Sequence, residues 1–146
     1  MADKDEIAAF IAKEFPQTKC VILEVGNEGA KVLHPVGTAE LRPGGTVAGP
    51  VLMATADLAL YVAILGQIGI VPLAVTSSLT INFLRKPVAS RHVVGICKLL
   101  KLGRTLAVGE VTLYSEGHDE AVAHVVGTYA IPRASTGMAS PRRPET

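Results

Sequence analysis

Between Arg42 and Arg85 the chain carries one formally charged residue, Asp57, and it stands in the middle of VLMATADLALYVAIL, residues 51 to 65. A run this apolar has to be removed from water. A carboxylate carried into it is costly unless it is hydrogen-bonded or set against a wet surface. Any fold for this chain must therefore bury the segment and still give the acid a purpose.

The run reads as one helix from about Gly49 to Leu65, reached through the turn-rich PVGTAELRPGGT of residues 35 to 46, with Gly66 or Gly69 as its C-terminal stop. Its apolar positions surround the axis rather than forming a stripe, so it belongs inside protein or lipid. Pro50, Gly66, Gly69 and Pro72 cut the run to roughly 15 to 18 residues, below the ~20 that a spanning helix needs. An ionisable group also sits mid-span and no basic cluster flanks it. Burial in protein is the expectation, with no membrane involved.

The rest of the chain supplies the cover. Residues 3 to 15 space Ile7, Ile11 and Phe15 four apart among Lys4, Asp5, Lys13 and Glu14, which predicts a short amphipathic helix on the domain edge within residues 1–16. KCVILEV (19–25) and GAKVLH (29–34), joined through Gly26-Asn27-Glu28, predict a hairpin. Four more strand-like runs follow, 71 to 84, 92 to 102, 105 to 115 and 120 to 131, and these are expected to form an antiparallel meander. In the first of them Leu73, Val75, Leu79, Ile81 and Phe83 alternate with Ala74, Thr76, Ser78, Thr80 and Asn82, which puts Thr76 on the polar face. One all-apolar helix and about six strands give an α+β solution, a long central helix wrapped by a curved antiparallel sheet. This makes a single domain over residues 1–132, followed by a loose tail from Arg133 to Thr146.

Composition removes several classes of function. Hydrophobic residues make up 49% of the chain and the formal net charge is +1, so the chain folds and carries no electrostatic footprint for a polyanion. Nucleic acid is not an expected partner. Cys20 and Cys97 lack a C-x-x-C pair or further ligands, which points to reduced thiols and no metal site. The start, MADKDEIAAF, is acidic where a secretory leader would be basic and then apolar, so the expected location is the cytoplasm.

Asp57 has two readings. It can be structural, satisfied by neighbours such as Thr55 or Tyr61, or it can be a general base or nucleophile facing an electrophilic carbonyl. Upstream, GGTVAGP offers free backbone N–H groups for an oxyanion or phosphate, and Gly49 admits a carbonyl close to the backbone. The eight residues from Gly49 to Asp57 span about 12 Å of helix, whereas a reacting carbonyl must lie about 3 Å from both groups. One chain does not supply both to one carbonyl. A two-fold dimer pairing Gly49 of one subunit with Asp57 of the other does.

Thr76 is suited to orient an attacking water, and Met53, Tyr61 and Leu65 are expected to line the pocket. Arg104 and Thr105 after Gly103 suit a phosphate-bearing ligand. His34, His92, His118 and His124 are scattered and form no recognisable triad, and G-x-S-x-G, G-x-G-x-x-G and G-x-x-x-x-G-K-[ST] are absent.

Three segments in order, GPVLMATADLAL, TSSLTINFLRKP and LGRTLAVGEVTLYSEG, resemble the hotdog-fold thioesterases over about residues 42 to 131. The likeness is to the PaaI-like branch, related to phenylacetic acid degradation, which acts on acyl-CoA or aryl-CoA. It implies the hotdog fold, a homodimer with sites at the subunit interface, often paired into a homotetramer, and hydrolysis of a thioester to a carboxylate and free CoA. The CoA thioester is substrate, and no cofactor or metal is implied.

Position by position, Asp57 matches the family's catalytic acid, Gly49 its carbonyl-polarising glycine and Thr76 the hydroxyl that helps to hold water. Pro50, Tyr61, Arg85, Gly103, Arg104 and Thr105 are the expected substrate and CoA contacts, the last three matching a turn that in some members meets the CoA phosphates. The sequence departs from the family pattern at the approach to the helix. The usual asparagine, and the His-Gly-Gly six residues on, read here as Arg42 and Ala48-Gly49-Pro50. Catalysis would then rest on the backbone N–H and the acid. The alternatives are a non-catalytic acyl-CoA or small-ligand binding protein and a hotdog dehydratase or hydratase. The latter pairs its acid with a histidine, and the nearest upstream, His34, lies well before Gly49.

Overall fold

A computed structural model describes residues 1–132; the tail expected from Arg133 lies outside the described residues. Helix α1 (Lys4–Glu14) begins at Asp3, whose carboxylate accepts the Glu6 N–H while the Glu6 carboxylate accepts the Asp3 N–H. This capping box satisfies two donors at a helix start. The helix buries Ile7 and Ile11 and ends at Phe15. Strands β1 (Val21–Gly26) and β2 (Gly29–His34) form the expected hairpin, with Asn27 and Glu28 at φ 53° and 59°, the left-handed pair a two-residue turn requires.

Residues 35–46 hold more structure than plain turns. They contain a 3-10 turn, Thr38–Glu40, and a two-residue ladder of β3 (Leu41–Arg42) with β4 (Thr46–Val47). The buried Glu40 accepts from Lys19 Nζ at 2.7 Å and from the Gly37 N–H at 2.7 Å. Its own carbonyl accepts the Ala48 N–H, which pins the residue before the central helix.

That helix, α2, spans Gly49–Ile68 and runs past the expected end at Leu65. Gly66 stays inside it because Val25 packs where a side chain would be, 2.5 Å from an ideal Cβ. Gly69, at φ 93°, ends the helix and donates its N–H to Leu65 O. At 20 residues the helix is long and apolar enough to cross a membrane by length and composition, but most of it is buried within this domain.

Strands β5 (Val75–Phe83), β6 (Val93–Leu102), β7 (Leu106–Ser115) and β8 (Ala121–Ala130) complete a six-stranded antiparallel sheet in the order β1-β2-β6-β7-β8-β5. Strand β5 begins at Val75 rather than residue 71, because Pro72 and Leu73 occupy a turn. Strands β6 to β8 form a meander, but β5 is not part of it in the expected place. It pairs with β8, since β2 and β7 already occupy both edges of β6.

Helix α2 lies against one face of this sheet on a floor of glycines. An ideal Cβ on Gly109 or Gly127 would stand 2.7 or 2.5 Å from a Leu60 methyl, and one on Gly95 would stand 3.3 Å from Thr55 Cγ2. Their missing side chains let the helix approach closely. From Ala59 to Gly66 every residue is buried, whereas Met53 and Ala54 are exposed. The helix is therefore wrapped on one side near its start rather than enclosed all round.

Candidate functional site

Asp57 lies one turn before Leu60, partly buried, on the side of α2 that faces β8 and β5. Its Oδ1 accepts two hydrogen bonds, from Thr76 Oγ1 at 2.6 Å and from the Tyr129 hydroxyl at 2.9 Å. No partner for Oδ2 is found among the described residues. The partners expected from neighbouring positions are engaged elsewhere. Thr55 donates to Val51 O at 2.7 Å and Tyr61 to Pro72 O at 3.2 Å.

Thr76 reaches the acid because β5 carries a bulge. Thr76 pairs with Tyr129 and Ser78 with Thr128, which leaves Ser77 as the extra residue. Leu79 lies opposite Gly127 and Thr76 opposite Tyr129, so three residues of β5 span what two span in β8. Alternation therefore reverses at Ser77, and Thr76 joins the inward face with Leu79 and Ile81, not the outer face with Thr80 and Asn82 where strict alternation put it.

Tyr129 was not a candidate from the sequence. It is 4% exposed, and its ring stacks on Tyr61 with centroids 5.9 Å apart and planes 26° from parallel. Burial first, and then the Asp57 charge, push its phenol well above the ordinary tyrosine range, so the hydroxyl remains a donor. The acid, Thr76 and both tyrosines line a cleft of about 500 Å³ that also includes Phe15 and Val75. The Phe15 ring meets Tyr61 edge-on at 5.8 Å, so the end of α1 forms one wall. Of the helix residues expected to line this cleft, Tyr61 does. Met53 points to solvent, and Leu65 is fully buried in the core.

Gly49 opens onto a second cleft, of about 420 Å³, with Arg42, Leu52, Phe83, Arg85 and Lys86 in its walls. Its N–H is at the first turn of α2, where no intrahelical acceptor exists. An ideal Cβ at this position would stand 3.3 Å from Phe83 Cζ, so a side chain here would press on that ring. Pro50 follows, exposed in the first turn, where its missing N–H breaks no intrahelical bond. The Arg85 guanidinium donates to Ala121 O and lies 3.7 Å from Glu120.

Gly103, Arg104 and Thr105 form the β6–β7 turn and line neither of these clefts. They lie just beyond the sheet row shared by Leu106, Ala130 and Val75, which is the rung next to the Thr76–Tyr129 pair. A single chain thus holds Asp57 with Thr76, holds Gly49 with Arg85, and keeps the two groups apart. The histidines serve elsewhere: His92 accepts the Val36 N–H, His34 bonds Pro35 O and His124 bonds Glu110. Among the described residues no group of three His, Cys, Asp or Glu side chains is arranged to hold a metal ion.

Residues 44–122 match the model of the thioesterase superfamily. In structure the chain is similar to a candidate thioesterase of Silicibacter sp. TM1040, at 42% identity and TM-score 0.82 over 89% of this chain and 92% of that one. It is similar to a mutant of the phenylacetic acid degradation protein PaaI from Thermus thermophilus, at 26% identity and TM-score 0.69 over 85% and 99%. Zebrafish thioesterase superfamily member 2, at 18% identity and TM-score 0.79 over 90% and 100%, shares the fold. No curated protein matches the sequence.

Proposed function

The chain belongs to the thioesterase superfamily, and on that premise we propose that this hotdog-fold thioester hydrolase cleaves acyl-CoA or aryl-CoA at a site shared by two copies of the chain. The observation that carries the reading is Asp57: one oxygen held by two hydroxyls, the other without a partner among the described residues, beside a largely apolar cleft. In this reading Oδ2 takes a proton from a water that attacks the thioester carbonyl. The oxyanion is held by the Gly49 N–H of the second copy, at the positive end of its helix. The carbon–sulfur bond then breaks and the CoA thiolate recovers the proton, giving a carboxylic acid and free CoA.

The two-chain arrangement is supported by the β5 edge. Strand β5 is an edge of the sheet, and its two ends expose Val75 and Phe83, 55% and 56% accessible, on either side of a polar middle. One end of β5 carries Thr76, which touches Asp57, and the other carries Phe83, which borders Gly49. Pairing two copies of this strand antiparallel about a two-fold axis sets the Thr76 end of one against the Phe83 end of the other. That juxtaposes the acid of one chain with the glycine of its partner. Arg42, Arg85 and Lys86 beside Gly49, together with Arg104 and Thr105 at the sheet end, are the proposed contacts for the CoA phosphates. Pairing of two such dimers into a tetramer, in the cytoplasm, completes the proposal.

The test is a panel of straight-chain and aryl CoA thioesters assayed for free thiol with native protein and with Asp57→Asn. Loss of turnover in a folded Asp57→Asn protein is the expected result. Turnover that survives the substitution removes Asp57 from the reaction.

A further inference from the structure

We propose that Tyr129 is a positioning residue for Asp57: with Thr76 it holds Oδ1, and so makes Oδ2 the oxygen that reacts. The inference rests on Asp57 being the reacting carboxylate, as proposed above. A carboxylate on a helix surface can offer either oxygen by rotation about its last torsion. Here one oxygen takes donors from two adjacent strands, at 2.6 and 2.9 Å, and each carboxylate oxygen has about two lone-pair sites. Oδ1 is therefore saturated, and the rotation that would exchange the two oxygens breaks both bonds.

The two donors differ in stiffness. Thr76 is exposed, on the edge strand, next to the bulge at Ser77. Tyr129 is 4% exposed, in β8 between β7 and β5, with its ring against Tyr61. Tyrosine is the fixed half of this clamp and threonine the adaptable half.

The Tyr129 hydroxyl has a single proton and two nearby acceptors, Asp57 Oδ1 at 2.9 Å and Asp57 O at 3.2 Å. The charged oxygen is nearer and is the stronger acceptor. The backbone oxygen also lies inside α2, where the helical ladder already uses it. Suppressed ionisation keeps the phenol a donor across the working range. Asp57, Tyr61 and Tyr129 are the ionisable side chains lining the cleft among the described residues. Both phenols are raised, chiefly by burial, so neither loses its proton on the acid side of neutrality.

Tyr129→Phe, Thr76→Val and Asp57→Asn are compared on hexanoyl-CoA and benzoyl-CoA, using kcat, KM and the pH dependence of kcat. Loss of one hydrogen bond to a charged group predicts a kcat roughly ten- to a hundredfold lower in Tyr129→Phe, with KM changed by less than about twofold. The acid limb moves to higher pH, because a carboxylate with one donor fewer holds its charge less readily. Thr76→Val changes kcat and the profile in the same directions.

A Tyr129→Phe enzyme with native kcat and an unmoved profile, beside an inactive Asp57→Asn, overturns the positioning role. The same result with lowered thermal stability assigns the hydroxyl to the Asp57 backbone oxygen and also overturns it. An active Asp57→Asn enzyme refutes the reading of the acid itself. If Tyr129→Phe does not fold, 3-fluorotyrosine at position 129 keeps the shape and strengthens the donor. The acid limb should then move to lower pH, and no movement counts against the proposal.

Discussion

Replacing Gly127 with alanine tests whether the glycine floor sets the height of α2 above the sheet, and with it the alignment of Asp57. An ideal Cβ at 127 falls 2.5 Å from Leu60 Cδ1 and 2.9 Å from Leu79 Cδ1, whereas carbon atoms rest about 3.5–4.0 Å apart. Leu60 is fully buried, and its other methyl lies over Gly109, 2.7 Å from where a Cβ would stand there. The side chain therefore has no room to swing aside, and the helix must rise by about 1 Å to restore ordinary contact. Overpacking of this kind costs about 1–3 kcal/mol. For a chain of this size that lowers the melting midpoint by roughly 3–10 °C. The rise also lifts Asp57, one turn earlier on the same helix, away from donors at 2.6 and 2.9 Å, so kcat should fall with stability. Melting by circular dichroism and thiol release are measured at one fixed protein concentration, because association also shifts the midpoint. Gly37→Ala is the control: its backbone is extended at φ −132° and the nearest atom to a Cβ is 3.7 Å away. It should stay within about 0.5 kcal/mol of native. A Gly127→Ala protein that melts with the native one and turns over at the native rate refutes the reasoning.

Mixing an inactive Gly49→Val protein with Asp57→Asn under conditions of subunit exchange should restore about one quarter of the native sites, because each heterodimer regains one of its two; no recovery despite proven exchange counts against the shared site. Phe15→Ala opens the cleft wall and should shift kcat/KM toward bulkier acyl groups by roughly tenfold, the scale on which apolar pockets discriminate; an unchanged substrate order shows that α1 does not set selectivity. Hydrogen bonds from Lys19 and then from the Gly37 N–H hold the Glu40 carboxyl below its usual range. Its stabilisation is thus present above the unfolded-state value and lost as pH falls through the folded one, so denaturation against pH should show Glu40→Gln losing less stability than native protein on acidification. Burial, and secondarily the Glu110 charge, push the Cys97 thiol up to about 12; mass spectrometry after maleimide treatment at mild alkaline pH should find Cys97 modified only in unfolded protein.

The central helix, its acid and the flanking hairpins were legible because each is a local pattern: an all-apolar run, one charge, a period of two broken by glycine. The separation of Gly49 from Asp57 was legible for the same reason, since helical rise converts residue spacing directly into distance. The neighbour of β5 was not, because strand pairing depends on which edges remain free after β2 and β7 have taken both sides of β6. Thr76 was assigned to the site but to the wrong face. The Thr-Ser-Ser stretch around the bulge has no glycine or proline to mark it. Tyr129 was missed as a consequence of both, since only the observed pairing of β5 with β8 sets Tyr129 opposite Thr76. The helix ran past Gly66 because Val25, distant in sequence, fills the space above it.

The extra residue at Ser77 makes the site depend on register as well as on chemistry. Its hydroxyl makes only a 3.3 Å contact with Thr128 O, so its own side chain contributes little; Thr76 faces inward because Ser77 is bulged out of the ladder instead of being paired. Straightening the bulge would set Ser77 against Tyr129 and send Thr76 to the outer face, with Leu79, Ile81 and the core beyond them still in register. Asp57, Thr76 and Tyr129 would all remain, and a residue-by-residue comparison would score the site as intact. Deleting Ser77 has the opposite outcome: Thr76 stays opposite Tyr129, Ser78 opposite Thr128 and Leu79 opposite Gly127, a regular ladder that keeps the donor on the acid. A chain one residue shorter at this point builds the same contact with no bulge at all.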